Sequence, residues 1–195
     1  MRIITGIYKG RRFDVPRTFK ARPTTDFAKE NLFNVLMGYI DLDGIRALDL
    51  FAGTGSISLE LLSRGCREVV SVERDRDHCA FIRQCLTRLD TDKVILIRGD
   101  ALKYIKNGRQ QFDFIFADPP YALEQLPLIP KMILESDMLK PGGLFVFEHG
   151  HNHSFTHMPQ FVEQREYGSV NFSIFRQKAT TKEERTDEQT TPTNG

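Results

Sequence analysis

The sequence is poor in cysteine and has no long apolar run. Its three cysteines, Cys66, Cys79 and Cys85, form no C-x-x-C pair, which favours reduced thiols. Residues 1–12 have no apolar segment typical of a secretion signal, and no apolar run approaches the roughly 18 residues that a membrane helix needs. We therefore expect a cytoplasmic protein that is neither exported nor inserted in a membrane.

A strong net charge is also absent, because 27 basic residues face 26 acidic ones and leave a formal charge of +1. This total hides a local excess of positive charge, since Asp14 is the one acidic residue within residues 1–25. The basic residues of this segment are Arg2, Lys9, Arg11, Arg12, Arg17, Lys20 and Arg22. Such a segment can contact nucleic-acid phosphates, or it can be a solvated arm without a partner. Charge alone leaves both interpretations open.

The length of 195 residues and the 40% hydrophobic content predict one domain with a full core. We expect residues 41–178 to form this domain, preceded by a basic extension with a helix over residues 1–40. Residues 179–195 have almost no apolar side chains and are predicted to be a disordered tail.

Apolar runs alternate with amphipathic stretches over residues 45–148, a pattern typical of an α/β fold with a parallel sheet covered by helices. The predicted strands are residues 46–51, 69–72, 94–97, 112–117 and 144–148, with two antiparallel strands within 160–177 and a small hairpin around residues 6–10. The predicted helices are residues 26–39, 56–64, 74–89, 101–105 and 126–139. The first helix is expected to bury Phe27, Leu32, Phe33, Leu36 and Met37.

Small residues connect the first predicted strand to the next helix, in the segment Asp49-Leu50-Phe51-Ala52-Gly53-Thr54-Gly55. They let the backbone approach a ligand closely, and the following helix start favours an anion. The third glycine of a dinucleotide-binding loop is missing, because Ser58 stands in its place. The Asp49 carboxylate can instead hold the amino group of an aminoacyl-type ligand.

Two further carboxylates follow the next strands. Glu73 ends the second strand, 20 residues after Gly53, where an acidic residue can meet ribose hydroxyls. Asp100 follows the third strand and can accept a hydrogen bond from an adenine amine. Each of them can also simply cap the helix after it, and both interpretations remain open.

The segment Asp118-Pro119-Pro120-Tyr121 follows the fourth predicted strand. Its prolines are unsuited to a strand interior, because proline donates no ladder hydrogen bond. The segment can form a rigid loop that presents a carboxylate, a backbone carbonyl and a ring face to a planar amine. An ordinary turn would explain the prolines but not the nearby ligand loop.

These positions resemble the class I S-adenosylmethionine-dependent methyltransferases. The resemblance implies a Rossmann-like fold with a mostly parallel seven-stranded sheet, and it implies S-adenosyl-L-methionine as the cofactor. The donor-binding residues that it implies are Asp49, Phe51, Ala52, Gly53, Gly55, Glu73, Arg74, Asp100, Ala101 and Asp118.

The segment 118–121 resembles the [Asn/Asp]-Pro-Pro-[Tyr/Phe] motif of the members that methylate amines, which implies catalytic roles for Asp118, Pro119, Pro120 and Tyr121. The Asp118 carboxylate and the Pro119 carbonyl can accept hydrogen bonds from an exocyclic amine and aim its lone pair at a methyl group. The Tyr121 ring can stack on an unpaired base.

Residues 3–11, 22–26 and 30–34 are similar to the bacterial small-subunit rRNA methyltransferase D family, and the resemblance extends over residues 1–178. That family methylates the N2 amine of guanine 966 in 16S rRNA. The resemblance implies a monomeric, cytoplasmic rRNA (guanine-N2)-methyltransferase that acts on 16S rRNA or an assembling small ribosomal subunit. The RNA-binding residues that it implies are Arg2, Lys9, Arg11, Arg12, Arg22, Pro23 and Thr24.

Other functions use similar residues. A DNA adenine-N6 methyltransferase shares the Asp-Pro-Pro-Tyr motif, but no unassigned stretch within residues 45–148 is long enough for a target-recognition insertion. A peptide-glutamine methyltransferase would more typically have Asn at position 118. A non-catalytic RNA-binding assembly factor would have no chemical reason to keep carboxylates at several strand ends.

Four histidines lie close together near the end of the core, at positions 149, 151, 153 and 157. No carboxylate or cysteine accompanies them, and methyl transfer needs no metal, so we predict no metal site. Residues 150–157 are predicted to be a polar loop, with His149 to His153 positioned to contact RNA.

Overall fold

A single sheet organises the molecule, a computed structural model that describes residues 1–19 and 24–179. Its strands are β1 Arg46–Leu50, β2 Glu68–Glu73, β3 Val94–Arg98, β4 Phe112–Ala117, β5 Leu139–His149, β6 Phe161–Tyr167 and β7 Val170–Arg176. The helices are α1 Asp26–Leu36, α2 Ser56–Ser63, α3 Arg76–Leu89, α4 Ala101–Asn107 and α5 Ile129–Leu134, with a 3₁₀ turn at Leu126–Leu128 before α5.

The strand order in the sheet is β3-β2-β1-β4-β5-β7-β6. The first five strands run parallel, while β7 is antiparallel to β5 and β6 is antiparallel to β7. The mostly parallel, seven-stranded α/β sheet that the sequence predicts is therefore confirmed. Because the parallel strands all end at one edge, the segments that follow β1, β2, β3, β4 and β5 lie side by side.

Both faces of the sheet are buried, as is usual for parallel strands. Adjacent residues of β1 show this, because Ala47 belongs to one apolar cluster and Leu48 to another. The first cluster joins α1, α2 and α3 to the sheet, and the second joins α4 and α5 to the opposite face. The sheet is thereby a rigid support for the loops at its edge.

The N-terminal segment, residues 1–13, packs onto this core. A β-bridge joins Arg2 to Arg12, and backbone hydrogen bonds link Met1 to Phe13 and Ile3 to Arg11, so the predicted small hairpin is present as a short pairing. Ile3 and Phe13 are buried in the same cluster as α1 and α2. At Gly6, where φ is +91°, a Cβ would lie 1.7 Å from the Ser63 carbonyl oxygen, so the close approach to α2 requires glycine.

Three predictions about elements are wrong in detail. Phe27 and Met37 were expected on the buried face of α1, but their side chains are 67% and 63% exposed. The fifth helix ends at Leu134 rather than at residue 139, because Leu139 already pairs with Phe112 at the start of β5. Thus β5 begins before residue 144, its predicted start, and includes Pro141, Gly142 and Gly143.

The described residues contain no helix that is both long and apolar enough to cross a membrane. Arg22 and Pro23, two of the predicted RNA-binding residues, and residues 180–195 of the predicted tail lie outside the part of the chain that the structure describes.

Candidate methyl-transfer site

A cavity of about 870 Å³ opens at the carboxyl edge of the parallel strands. Its volume lies in the range of small-molecule sites. Residues from every segment that follows a parallel strand reach its wall, including Asp49, Phe51, Ala52, Gly53, Glu73, Arg74, Asp100, Ala101, Asp118, Pro119, Pro120, Tyr121 and Glu148. The structure thus brings together most of the side chains that the sequence assigned to donor binding and catalysis.

The loop after β1 has an unusual backbone. Phe51 has a φ of +61°, and Gly53 and Gly55 follow with φ of +56° and +76°. A bulky residue in the left-handed region is uncommon and costs free energy, on the order of 1 kcal/mol. Such strained conformations cluster at ligand sites, where they let the backbone curve around a bound group.

Gly55 does not line the cavity, although the sequence assigned it to donor binding. It is the N-cap of α2, and a Cβ there would lie 2.9 Å from the Ile82 side chain. Its lack of a side chain therefore allows α2 to start close to α3.

Glu73 connects β2 to the glycine loop. One carboxylate oxygen accepts a hydrogen bond of 2.7 Å from the Gly53 amide, and the other accepts one of 2.8 Å from the Asp75 amide. Asp75, rather than Glu73, is the N-cap of α3. The acidic side chain at the end of β2 is therefore part of the loop's support as well as of the cavity wall.

Asp49 is buried beneath the same loop. Its Oδ2 accepts a hydrogen bond of 3.0 Å from the Ser58 amide and another from the Ser58 hydroxyl. Burial raises the pKa of Asp49 to about 7, although the bonds from Ser58 oppose this rise. The carboxylate thus has a high free energy when ionised, and a cationic group placed beside it would relieve that cost.

Asp100 acts as a helix cap in this structure. Its Oδ1 accepts a hydrogen bond of 2.9 Å from the Lys103 amide at the start of α4. The residue also lines the cavity, as does Ala101. Arg74 lies on the rim and is exposed.

The Asp-Pro-Pro-Tyr loop continues directly from β4. The Asp118 amide donates a hydrogen bond of 3.3 Å to the Leu50 carbonyl, which keeps the loop beside the end of β1. Pro119 is buried, whereas Tyr121 is 47% exposed. Burial, with a further contribution from the nearby Glu148 carboxylate, raises the pKa of Asp118 well above its usual value.

Glu148 is a site residue that the sequence analysis did not identify. It lies near the end of β5, is 6% exposed and lines the cavity. The Tyr121 hydroxyl donates a hydrogen bond of 3.3 Å to its Oε1, whereas the buried Oε2 has no hydrogen-bond partner within residues 1–19 and 24–179. Burial raises the pKa of Glu148 and also that of Tyr121. An acidic residue at the end of an otherwise apolar strand was the available signal.

The basic residues of the N-terminal segment differ in what they contact. Arg2 forms a 3.0 Å ion pair with Asp26, and the Arg11 guanidinium donates to the Arg88 carbonyl. Lys9 and Arg12 are exposed, and among the described residues neither has an ion-pair partner. Thr24 lies in the wall of the cavity. Of the predicted RNA-binding residues that the structure describes, Thr24 is the one that lines the cavity.

The prediction that His149 contacts RNA is wrong. Its side chain is buried at the end of β5, where Nε2 accepts from the Ser173 hydroxyl and Nδ1 donates to the Gly150 carbonyl. His151 is exposed and lies 3.0 Å from the Asn171 amide nitrogen. Only the residues after His149 belong to the polar loop.

Comparisons with known proteins support one family. A family model described as conserved hypothetical protein 95 matches residues 1–176. YlbH of Bacillus subtilis is 33% identical over 188 residues, which cover 91% of this chain and 100% of YlbH. Ribosomal RNA small subunit methyltransferase D of Haemophilus influenzae is 34% identical over 152 residues, which cover 76% of this chain and 78% of that protein. The chain belongs to the small-subunit rRNA methyltransferase D family.

Solved structures agree with this membership. The yhhF protein of Escherichia coli has a TM-score of 0.80 and 25% identity, covering 92% of this chain and 99% of that chain. The protein TTHA0928 of Thermus thermophilus has a TM-score of 0.78 and 27% identity, covering 90% and 98%. SMU.776, solved in complex with SAH, has a TM-score of 0.63 at 15% identity over 76% of this chain and 49% of that one, and shares the fold. This member of the family is a methyltransferase of the class I fold.

Proposed function

We propose that this protein transfers a methyl group from S-adenosyl-L-methionine to the exocyclic N2 amine of a guanine in 16S rRNA, at position 966. The observation that carries the proposal is the Asp118–Tyr121 segment, which lines the same cavity as residues 51–54 of the loop after β1. A methyl donor in the loop and a planar amine beside Asp118 would then be neighbours.

The residues of the cavity fit the proposed donor. Carboxylates at the ends of β1, β2 and β3 offer acceptors for its amino group, its ribose hydroxyls and its adenine amine: Asp49, Glu73 and Asp100. Phe51 and Gly53 turn the backbone around this space with positive φ. When bound, S-adenosyl-L-methionine supplies an electrophilic methyl group on a sulfonium.

The substrate amine needs orientation more than it needs a base. Its lone pair is delocalised into the purine ring, so acceptors for its two N–H groups favour a tetrahedral nitrogen with a free lone pair. The Asp118 carboxylate and the Pro119 carbonyl supply such acceptors. The amine proton that is released on methylation passes to Asp118 or to water. Tyr121, which is half exposed at the cavity mouth, offers its ring for stacking on the base.

The N-terminal basic segment supports RNA as the substrate. Arg12 is exposed opposite Arg2, whose carbonyl shares the Lys29 ammonium with Ser56 at the start of α2, whereas Lys9 is exposed beside Tyr8, near Ser63 at the other end of α2. Exposed basic side chains of this kind can neutralise RNA phosphates. Relatives named for small-subunit rRNA methylation add to this argument. The proposal includes a cytoplasmic monomer that acts on 16S rRNA, free or within an assembling small ribosomal subunit.

Identification of the methylated base tests the proposal. The protein and labelled S-adenosyl-L-methionine are incubated with undermethylated small subunits, naked 16S rRNA or adenine-containing DNA, and the products are digested to nucleosides. We expect label in N2-methylguanosine from RNA and none in DNA. Label in N6-methyladenine would instead establish the DNA-modifying alternative, and absence of label with every substrate would favour a non-catalytic assembly factor.

A matched pair of variants ties the activity to this cavity. Asp118→Ala removes the side-chain acceptors at the cavity wall, whereas Asp137→Ala makes the same change at an exposed position after α5. We expect methylation to be lost in the first variant and retained in the second.

A further inference from the structure

Asp118 and Glu148 follow neighbouring parallel strands in the same register. In the β4–β5 pair Phe116 lies opposite Val146 and Ala117 lies opposite Phe147, so the next residues along the two strands are Asp118 and Glu148. Neighbouring strands are separated by about 4.8 Å, and residues at paired positions of parallel strands point to the same side. Both carboxylates consequently line the same cavity.

The two carboxylate oxygens of Glu148 differ in their hydrogen bonding. The Tyr121 hydroxyl occupies Oε1 at 3.3 Å, and Oε2 is buried without a hydrogen bond among the described residues. A buried carboxylate oxygen without a partner costs free energy. A buried glutamate with a purely structural role would be expected to use both oxygens, as Glu60 does with the amides of Ile4 and Thr5. An unpartnered carboxylate oxygen on a side chain that lines the cavity is a candidate acceptor for a ligand donor.

The Watson–Crick edge of guanine has adjacent donors at N2–H and N1–H, next to the acceptor O6. A single carboxylate at Asp118 can bind the amine of guanine or of adenine and so cannot tell them apart. A second carboxylate beside it matches guanine, because it can accept from N1–H. Adenine and 2-aminopurine have an unprotonated N1, whose lone pair would face the oxygen.

We propose that Glu148 is a specificity-determining residue, whose carboxylate accepts the N1–H of the target guanine while Asp118 accepts from its N2 amine. The inference rests on the proposed function and extends it by assigning the discrimination between purines to one side chain. Tyr121 has a second role in this arrangement, because its hydroxyl fixes Oε1 and leaves Oε2 for the base.

The test compares two bases at one position of the RNA. Small subunits are reconstituted with 16S rRNA that carries either guanine or 2-aminopurine at the target, since 2-aminopurine keeps the 2-amine but lacks N1–H. Single-turnover methylation is measured for the parent protein, for Glu148→Gln and for Glu135→Gln, a matched control at the exposed end of α5. The parent should prefer guanine by about 100-fold or more, because a site built for a donor rejects a base that lacks it.

In Glu148→Gln the preference should narrow by about tenfold or more. The Tyr121 hydroxyl still donates to an oxygen, so the glutamine side chain of this variant keeps its oxygen at the position of Oε1 and places its NH₂ group at the position of Oε2. It then opposes N1–H of guanine and can donate to N1 of 2-aminopurine. Glu135→Gln should keep the parent preference. An unchanged preference in a folded Glu148→Gln protein would overturn the inference and leave guanine methylation intact.

A second variant covers the case in which Glu148→Gln does not fold. Tyr121→Phe keeps the ring but removes the hydroxyl that orients Glu148, and it should narrow the same preference by a smaller factor. A preference equal to that of the parent would count against the inference. A parent protein that methylates neither base would instead overturn the proposed function itself, and the inference with it.

Discussion

The ammonium group of Lys29 lies 3.6 Å from the carboxylate of Glu60, and both side chains are completely buried. Lys29, from α1, also donates to the Arg2 carbonyl at 2.6 Å and to the Ser56 hydroxyl at 3.0 Å. Glu60, from α2, accepts from the amides of Ile4 and Thr5. This buried pair thereby connects the basic N-terminal segment to the helix that starts at the glycine loop.

Removal of each partner should have unequal effects on stability. Burial lowers the pKa of Lys29, and the charge of Glu60 is the main opposing influence. Glu60→Gln leaves the buried ammonium without its counter-ion and should lower the free energy of unfolding by about 3–5 kcal/mol. Lys29→Met should cost less, about 1–3 kcal/mol, because Arg64 still pairs with Glu60 at 2.9 Å.

Urea unfolding at pH 7 measures this order. Lys131→Met provides the control, because its ion pair with Glu135 lies on the surface and should contribute less than about 1 kcal/mol. A Lys29→Met protein that is less stable than Glu60→Gln would contradict the assignment of Glu60 as the residue that compensates the buried charge.

Donor binding and methyl transfer should separate between Glu73 and Asp118. Glu73 accepts a hydrogen bond from the Gly53 amide, so Glu73→Ala removes both a part of the cavity wall and a support of the glycine loop. We expect the donor dissociation constant to rise about tenfold or more, equivalent to about 1.4 kcal/mol. Asp118→Ala should bind donor nearly as the parent does but lose methyl transfer by about 100-fold or more.

Calorimetric titration with S-adenosyl-L-methionine and single-turnover methylation distinguish the two effects. Asp137→Ala is the control for both, because this residue is exposed and outside the cavity. Full activity in Asp118→Ala would contradict the proposed orientation of the amine.

The sequence predicted the strand ends better than the side-chain partners. The positions of Asp49, Glu73, Asp100 and Asp118 at one edge follow from the alternation of strands and helices, which needs no knowledge of packing. Glu148 lies at the same edge, but its importance depends on Tyr121, 27 residues away, and on the register between β4 and β5. Neither is encoded in a local pattern.

The amphipathic pattern of α1 predicted burial wrongly at the two ends of the helix for a similar reason. Phe27 and Met37 have the apolar character of a core face, but Leu32, Phe33 and Leu36 already fill the space against the sheet. Phe27 instead makes an edge contact with Tyr167, at 6.2 Å between ring centroids. Lys29 is buried at a position where helical periodicity would predict an apolar residue. Its burial depends on the ion pair with Glu60 in another helix, which a local sequence pattern does not reveal.

RNA affinity should depend on the exposed basic residues more than on the paired ones. Lys9 and Arg12 have no ion-pair partner among the described residues, whereas Arg2 is already paired with Asp26. Replacing Arg11 and Arg12 by Ala should weaken RNA binding and reduce the slope of log K against log salt by about 0.7–0.9 for each lost phosphate contact. Arg11 contributes less if its bond to the Arg88 carbonyl persists in the complex.

The association constant for a 16S rRNA fragment, measured at salt concentrations from about 50 to about 200 mM, gives this slope. Lys131→Ala, on α5, is the matched control and should leave the slope unchanged. An unchanged slope in the double variant would assign the charge of the segment to solubility alone.

Removal of the Glu148 charge should stabilise the fold at high pH. Burial raises the pKa of Glu148 from its ordinary value of 4.5 to about 7, although the hydrogen bond from Tyr121 opposes this rise. The Asp118 carboxylate lies close by, and burial together with the charge of Glu148 raises the pKa of Asp118 in turn. Between those pH values the folded protein keeps a proton that the unfolded chain releases, so stability falls as pH rises through this window. Glu148→Gln cannot ionise and also relieves Asp118 of a like charge.

The melting temperature of Glu148→Gln should therefore lie close to that of the parent near pH 4.5, exceed it increasingly up to about pH 7 and stay above it at pH 8. For a chain of this length each kcal/mol corresponds to about 2–4 °C, so a difference of several degrees is expected at pH 8. Scanning calorimetry of both proteins, with Glu135→Gln as a control whose curve should follow the parent, measures the difference. Parallel curves for Glu148→Gln and the parent would mean that the carboxylate is already satisfied in the folded protein. A widening gap would show that the cavity holds the Glu148 carboxylate at a cost to the stability of the fold.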